Sequence, residues 1–307
     1  RGSDATRINL TLNGIPYNDA ESQGLFFVNL PDFASSAGSI QVQRGVGSSS
    51  VGAGSFGASI NFSTNDVNKD AYAELNNSFG SFNTWKNTLK AGTGLHRHFT
   101  ADFRLSRISS DGYIDRASSD LKSIFGSMAY IGEKNSLRLN IFSGKENTYQ
   151  SWYGISEQDL AAGRRRINSA GTEKPGEPYD NETDNYNQTH YQLFFNQQLH
   201  PSLHFNTAFF LTTGKGYYEQ YKAGRDFAEF GLPYPVNGND TIFEADFVRQ
   251  LWLDNDYHGN IFSLQYKGKK TEATLGGAYT RYDGRHFGKV IWSSAVNISP
   301  RKWYDLI

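Results

Sequence analysis

The sequence has no cysteine, almost no net charge and no long apolar run. The absence of cysteine among 307 residues excludes a disulfide framework, a thiolate metal site and a cysteine nucleophile. The 30 basic and 31 acidic residues leave a formal net charge of -1, which excludes a large electrostatic footprint for nucleic acid or acidic lipid. No stretch approaches the ~18 consecutive apolar residues of a membrane helix. The first residues, RGSDATRINL, do not read as a signal peptide.

Aromatic side chains are abundant in a chain that is otherwise polar. Phe, Tyr and Trp make up 15% of the residues, whereas all hydrophobic residues together reach only 37% and the mean hydropathy is -0.59. Strands with one apolar and one polar face produce this mixture, and transmembrane β-barrels are built from such strands.

Two regions differ in pattern. Residues 1–66 are rich in Gly and Ser and contain three short alternating segments, near 8–12, 40–42 and 60–62, which predict short strands. This region has too little apolar material for an independent core, so we expect it to pack inside the rest of the chain. From residue 67 onward the alternation is longer, as where Phe103 and Leu105 follow Asp102 and Arg104. Charged residues on an inner face suit a water-filled or plugged lumen rather than a sandwich core.

The period-two pattern predicts about nine strands in this second region. They lie near 71–80, 83–95, 98–109, 119–131, 135–145, 187–199, 202–214, 257–267 and 271–283. The second, fourth, sixth and eighth links are short and the third, fifth and seventh are longer, as expected for periplasmic turns and extracellular loops. An odd number of strands cannot close a bacterial barrel, so we expect the native protein to extend beyond both ends of this sequence.

Several motifs have a simpler structural interpretation than a functional one. The match to G-x-G-x-x-G at 52–57 leads into a strand-like segment rather than a helix, which argues against a dinucleotide site. The spacing of His96 with His98, and of His200 with His204, suits turn residues better than metal ligands. The acidic stretch 173–185 lacks the glycine and glutamate positions of an EF-hand and predicts a polar loop. No catalytic arrangement stands out, and neither a metal site nor a cofactor is predicted.

Residues 40–62 read IQVQRGVGSSSVGAGSFGASINF and resemble the end of the plug domain in TonB-dependent outer-membrane receptors. The matching positions are Ile40, Val42, Arg44, Gly45, Gly52, Gly57, Ile60 and Asn61. Upstream, residues 12–19 read LNGIPYND and resemble another plug segment, and Leu30-Pro31-Asp32 stands where a Leu-Pro segment usually occurs. The residues of these segments are more similar to the branch that imports iron-siderophores and cobalamin than to the glycan- and peptide-importing branch. They also resemble receptors of the Bacteroidetes type.

The resemblance implies an all-β fold: a 22-stranded transmembrane barrel with a plug in its lumen. Residues 1–66 would be the C-terminal half of the plug, and residues 67–307 the N-terminal part of the barrel. The protein would lie in the outer membrane of a Gram-negative bacterium, contact its lipid, bind a small ligand such as an iron chelate, and receive energy from TonB through a segment that this sequence does not contain. The alternatives are a passive porin or surface adhesin barrel, a TonB-dependent importer of cobalamin, glycan or peptide, and a secreted β-sandwich lectin.

The ligand-binding candidates come from the plug and from the presumed outer loops. The plug segment 17–27 and the loop 146–186 present polar and aromatic groups together, and a basic run at 164–166 favours an anionic chelate. The aromatic clusters suit either a binding vestibule or a membrane-interface girdle. The loop also has an alternative role as a mobile lid whose arginines bind lipopolysaccharide phosphates. We further expect Arg44 to pair with Glu74 between plug and barrel. The candidates are Tyr17, Asn18, Glu21, Gln23, Phe26, Trp152, Tyr153, Arg164, Arg165, Tyr217, Tyr218 and Tyr221.

Overall fold

The computed structural model describes residues 4–45 and 56–306. Gly52 and most of the G-x-G-x-x-G match therefore lie outside the described residues. Strands dominate the described part, with one short α-helix at Glu157–Ala161 (α1) and short 3₁₀ turns, among them Phe27–Asn29 and Phe33–Ser36. Within that part, no helix is long and apolar enough to cross a membrane.

The described residues up to position 66 contain a small sheet and are here called the N-terminal unit (residues 4–45 and 56–66). Its strands are β1 (Ile8–Leu12), β2 (Ile15–Pro16), β3 (Ser39–Arg44) and β4 (Ala58–Ser63), in the order β2-β1-β4-β3. β1 runs parallel to β4, whereas β3 pairs with β4 in antiparallel register. The three short strands expected from the sequence are confirmed.

Ten described strands form one large antiparallel sheet. They are β5 (Tyr72–Gly80), β6 (Thr84–Gly92), β7 (Phe99–Ser110), β8 (Ser119–Ile131), β9 (Asn135–Tyr149), β10 (Thr183–His200), β11 (Leu203–Asp226), β14 (Glu244–Lys267), β15 (Glu272–Ser293) and β16 (Arg301–Leu306). The small pair β12 (Val236–Asn237) and β13 (Asp240–Thr241) lies in the connection between β11 and β14. All nine expected strands are present, and β16 was missed because its alternation covers only six residues.

The connections differ in length at the two ends of the large sheet. Links 93–98, 132–134, 201–202 and 268–271 are short, whereas 111–118, 150–182 and 227–243 emerge together at the opposite end. The expected alternation of short turns and longer loops is confirmed from the second link onward. The end with the longer connections is called the loop end.

The two faces of the large sheet differ in character. Large apolar side chains stand exposed on one face, called the open face: examples are Leu75, Phe79, Phe99, Met128, Leu137, Phe209 and Leu275. The N-terminal unit lies against the other face, called the covered face, where polar side chains such as Thr88, Arg104 and Gln192 are buried. This division confirms the sequence pattern of apolar residues on one face and polar residues on the other.

The N-terminal unit packs on the covered face through two apolar clusters. In the first, the rings of Phe33 and Phe142 lie 5.0 Å apart, and Leu10 and Leu12 complete the contact. In the second, Ile15 packs with Ala208 and Phe210 of β11. Because these clusters contain residues of both parts, the small sheet obtains from the large one the core that its own length cannot supply.

Candidate functional site

Asp32 anchors the N-terminal unit to the covered face. Its carboxylate accepts hydrogen bonds at 2.7 Å from the hydroxyls of both Thr88 and Ser106, and it forms ion pairs with Lys86 Nζ at 2.5 Å and with Arg104 Nη1 at 3.4 Å. The side chains of Asp32 and Arg104 are each only 2% exposed. Burial alone would raise the pKa of Asp32, but hydrogen bonds led by Lys86 outweigh it and hold the pKa well below its ordinary value.

The backbone around Asp32 lies unusually close to the sheet. Arg104 Nη1 donates to the Asp32 carbonyl oxygen at 2.6 Å, and Ser123 Oγ donates to the Pro31 carbonyl oxygen at 2.6 Å. Gly144 of β9 makes this approach possible, since a Cβ atom there would stand 2.0 Å from the Asn29 carbonyl oxygen. A glycine in a strand interior often marks such a close backbone contact.

A cavity of about 480 Å³ lies between the N-terminal unit and the loop end of the covered face. The N-terminal unit contributes Tyr17, Asp19 and the segment from Phe26 to Asn29, and the large sheet contributes the wall. Its size and its mixed aromatic and polar lining are typical of small-molecule sites. Lining residues from the sheet and its loops are Glu146, Thr148, Trp152, Asp184, Tyr186, Gln188, Gly216, Tyr217, Tyr218, Leu251, Trp252, Leu253, His286 and Tyr304.

The turn after β2 presents Tyr17 and Phe26 to this cavity. Asn18 holds the turn, because its side chain accepts from Leu10 N at 2.8 Å and donates to the carbonyl oxygens of Ile8 at 2.8 Å and Gln23 at 3.1 Å. Tyr17 Oη donates to the Phe26 carbonyl oxygen at 2.6 Å, and burial raises the pKa of Tyr17 above its ordinary value. Tyr17 is therefore a neutral hydrogen-bonding group at the cavity floor.

The charged groups that line the cavity are mainly acidic. Asp19, Glu146 and Asp184 line it, and among its described lining residues the one basic side chain is His286. His286 Nε2 lies 2.7 Å from a carboxylate oxygen of Glu21, and this contact joins the turn after β2 to β15. This wall therefore offers carboxyl groups, including the buried Glu146, as hydrogen-bonding partners, and the basic run at 164–166 does not contribute to it.

The long connection 150–182 is fastened to the sheet rather than free. Tyr179 Oη donates to Glu219 at 2.7 Å, and Lys222 Nζ pairs with Glu173 at 2.7 Å. Near its start, the Trp152 ring lies 6.0 Å from the Tyr218 ring at 88°. The segment after Asn168 is thus held against β11, which argues against a purely mobile lid.

The structure brings some of the sequence-predicted candidates together and separates others. Tyr17, Phe26, Trp152 and Tyr218 line the cavity. Tyr217 borders it through β11, but it has the strand parity of Lys215 on the open face, and its ring lies 4.5 Å from that of Trp252. Asn18 and Gln23 make backbone hydrogen bonds within the turn, and Tyr153 adjoins Trp152. Tyr221 is buried, with its hydroxyl bonded to Asp246 and its ring against Tyr179. Arg164 pairs with Asp159, and neither it nor Arg165 lines the cavity.

The expected pairing of Arg44 with Glu74 is wrong among the described residues. Glu74 pairs with Lys90 on the neighbouring strand at 3.0 Å, and Arg44 is exposed at the end of β3 without an ion pair in the part of the chain described. Ion pairs between the two parts are instead made by Asp32, with Lys86 and Arg104. Register explains the difference, since Glu74 and Lys90 stand directly opposite on β5 and β6.

The sequence interpretation did not single out the sheet residues Glu146, Asp184, Tyr186 and His286 of the cavity. The first three fall within the predicted loop 146–186, whereas His286 lies outside every predicted site segment. Asp184 and Tyr186 precede the expected start of their strand at residue 187, whereas β10 begins at Thr183. They have the same strand parity as Gln192, whose side chain is buried on the covered face. Extending that parity toward the loop end would have identified them.

The fold of this chain recurs in solved structures of import receptors. No protein-family model matches the sequence, and no curated protein sequence matches it. In three dimensions, however, the chain has the fold of receptors for siderophores and metals; these similar structures are transport receptors and not enzymes.

Three solved structures illustrate the similarity. The closed form of the ferric-catecholate import receptor Fiu from E. coli K12 has a TM-score of 0.64 at 14% identity, over 99% of this chain and 42% of that one. The siderophore receptor PiuA from Acinetobacter baumannii has a TM-score of 0.62 at 14% identity, over 93% of this chain and 39% of that one. The copper transporter OprC has a TM-score of 0.62 at 13% identity, over 92% of this chain and 40% of that one. The chain spans about two fifths of the length of these structures.

Proposed function

We propose that this chain belongs to a TonB-dependent receptor that imports a scarce small molecule, such as an iron-siderophore or a similar metal complex, across the outer membrane. In this proposal residues 1–66 are the C-terminal half of a plug and residues 67–307 are the N-terminal part of the barrel. The observation that carries it is the cavity between the Tyr17–Phe26 turn and the covered face, because a ligand bound there contacts both the plug and the wall.

Two further features support active import over a passive porin. The N-terminal unit occupies the covered face through apolar clusters and a buried ion pair, so it obstructs the space that an open pore would need. The unit is also held by polar groups, Asp32 above all, which can exchange partners when the plug is pulled. A secreted lectin is disfavoured by the many large apolar side chains on the open face.

The carboxyl groups of the cavity wall restrict the class of ligand that we propose. A neutral complex that exchanges hydrogen bonds with the carboxyl groups of Glu146 and Asp184 fits this part of the cavity better than a highly anionic chelate, because the wall lacks basic partners for such a chelate apart from His286. Cobalamin and neutral hydroxamate chelates of iron satisfy this condition, whereas a tris-catecholate does not.

Uptake in cells tests the proposal. Radiolabelled ferric hydroxamate, ferric tris-catecholate and cobalamin are offered to a strain without the native gene and to the same strain carrying it, each with and without functional TonB. Uptake of one compound that needs both the gene and TonB supports the proposal. Uptake that persists without TonB supports a passive pore, and no gene-dependent uptake of any compound argues against these ligand classes.

A further inference from the structure

Three basic side chains stand side by side on the open face, near the loop end of the sheet. They are Arg107 of β7, Lys122 of β8 and Lys145 of β9, and the backbone register pairs Arg107 with Lys122 and Lys122 with Lys145. Directly opposed residues on adjacent antiparallel strands have their Cβ atoms ~5 Å apart. Three positive charges therefore occupy a row about 10 Å long; we call it the basic row.

An apolar groove borders the basic row on the side away from the loop end. Two residues further along the strands, Leu89, Leu105 and Ile124 stand in register with one another. Together with Leu75 and the basic row they line an open groove of about 510 Å³. The open face thus changes from charged to apolar over two residues along each of these strands.

The basic row keeps a surplus of positive charge. Asp120 is the carboxylate that pairs with it, at 2.9 Å from Arg107 Nε and 3.2 Å from Lys122 Nζ. One carboxylate among three basic groups leaves two positive charges uncompensated within the row. Asp120 also holds two of the side chains in place, which lowers the entropy lost when they bind an anion.

Other basic side chains on the open face stand in register with the basic row and serve as a comparison for it. The register continues from Lys145 through Asn187 to Lys215, then to Asp254 and Arg285. Lys215 pairs one-to-one with Asp254 at 2.5 Å, and Arg285 pairs with Asp305 at 3.1 Å. These basic groups are neutralised and do not line the groove, so they match the basic row in face and register but not in net charge.

We propose that the basic row binds the phosphate groups of an outer-leaflet phosphorylated glycolipid, with acyl chains of the same molecule in the adjoining groove. This inference rests on the proposed location of the protein in the outer membrane. Guanidinium and ammonium groups form strong charge-assisted hydrogen bonds with phosphate. A headgroup with two phosphates can engage a row of this length at two points, which a lipid with a single phosphate cannot.

The test uses the purified native protein and diphosphoryl lipid A as the probe. The triple variant Arg107→Gln, Lys122→Gln, Lys145→Gln is compared with the matched double variant Lys215→Gln, Arg285→Gln. Native mass spectrometry counts co-purified glycolipid, and a titration measures lipid A binding in detergent. We expect the triple variant to bind at least tenfold more weakly and the double variant to stay within twofold of the native protein.

Several results would overturn the inference. They are unchanged binding in the triple variant, an equal loss in the double variant, and equally tight binding of dephosphorylated lipid A or phosphatidylglycerol. If the triple variant does not reach the membrane, Lys145→Gln alone is tested, with an expected loss of at least threefold. Membrane fractionation and uptake are measured on the native protein in parallel, because its absence from the outer membrane would refute the proposed function independently of the lipid result.

Discussion

Replacing Asp32 with asparagine removes one charge from the contact that holds the N-terminal unit to the large sheet. The asparagine keeps the size of the side chain but leaves Arg104 buried without its counter-charge. Lys86 also loses its charged acceptor, whereas the hydroxyls of Thr88 and Ser106 can rotate to accept from the new amide. The Asp32→Asn variant therefore isolates the charge from the packing.

The expected loss follows from the burial of both partners. Removing one partner of a buried ion pair typically costs about 3–5 kcal/mol, because the other charge stays buried without compensation. Arg104 keeps the carbonyl oxygen of residue 32 as an acceptor at 2.6 Å, so we expect the lower end, about 3 kcal/mol. By contrast, Lys86→Gln removes a charge that is 35% exposed and should cost at most about 1 kcal/mol.

Hydrogen exchange of backbone amides in β1 and β4 measures this loss in the native protein. If these amides exchange when the unit detaches, about 3 kcal/mol corresponds to exchange about a hundredfold faster in Asp32→Asn. Adding Arg104→Gln to Asp32→Asn should recover part of the protection, because it removes the uncompensated charge. Exchange within threefold of the native rate in Asp32→Asn would refute the anchoring role of Asp32.

The pH dependence provides a second check on the same group. The pKa of Asp32 is lowered in the folded protein, so its contribution is fully present above the ordinary aspartate pKa of about 3.9 and is lost as the pH falls through the lowered folded value. The difference in exchange between the native protein and Asp32→Asn, corrected for intrinsic rates, should be constant from about pH 7 to about pH 4 and shrink below it. A difference that already shrinks near pH 6 would identify another titrating group.

Three further substitutions test the packing and the cavity. Gly144→Ala should displace the Asn29–Asp32 backbone and lower stability in thermal unfolding by about 1–3 kcal/mol. The control Gly126→Ala, whose Cβ would meet its nearest atom at 3.9 Å, should change thermal unfolding little. Equal effects of the two substitutions would contradict the close approach at Gly144. Phe142→Ala should cost about 3–5 kcal/mol in denaturant unfolding, and a loss under about 1 kcal/mol would mean that the first apolar cluster contributes little. Trp152→Ala should weaken ligand binding at least tenfold, about 1.4 kcal/mol, in a titration where the same-loop control Ile155→Ala binds normally; equal affinities would remove Trp152 from the site.

Most of the fold could be predicted from the sequence because alternation is a local signal. Each strand of the large sheet carries its own period-two pattern, so β7 or β11 is recognisable without knowledge of its neighbours. β16 was missed because six residues alternate too briefly to stand out. The starts of β10 and β14 were placed too late, since beyond the apolar band of the open face both sides of a strand become polar or aromatic.

The candidate site was only partly predictable because it depends on contacts distant in sequence. The aromatic candidates of the turn, the loop and β11 stand out by composition, and Tyr17, Phe26, Trp152 and Tyr218 line the cavity. Glu146 and His286 look like ordinary polar-face residues until the register places them beside the turn that carries Tyr17. In the same way, nothing local distinguishes Asp32 as the anchor or Gly144 as its point of contact, because their roles exist only once the two sheets meet.

Locking the N-terminal unit to the wall tests the central claim that this unit is a plug which must move during import. Ile15→Cys and Ala208→Cys place two thiols in one apolar cluster, in a sequence with no cysteine of its own. The pair is closed by oxidation or by a short bifunctional thiol reagent, and uptake of the labelled ligand is measured before closure, after closure and after reduction. The account predicts that the closed protein binds ligand normally but does not import it, and that reduction restores uptake. Import by the fully closed protein at the native rate would contradict the account.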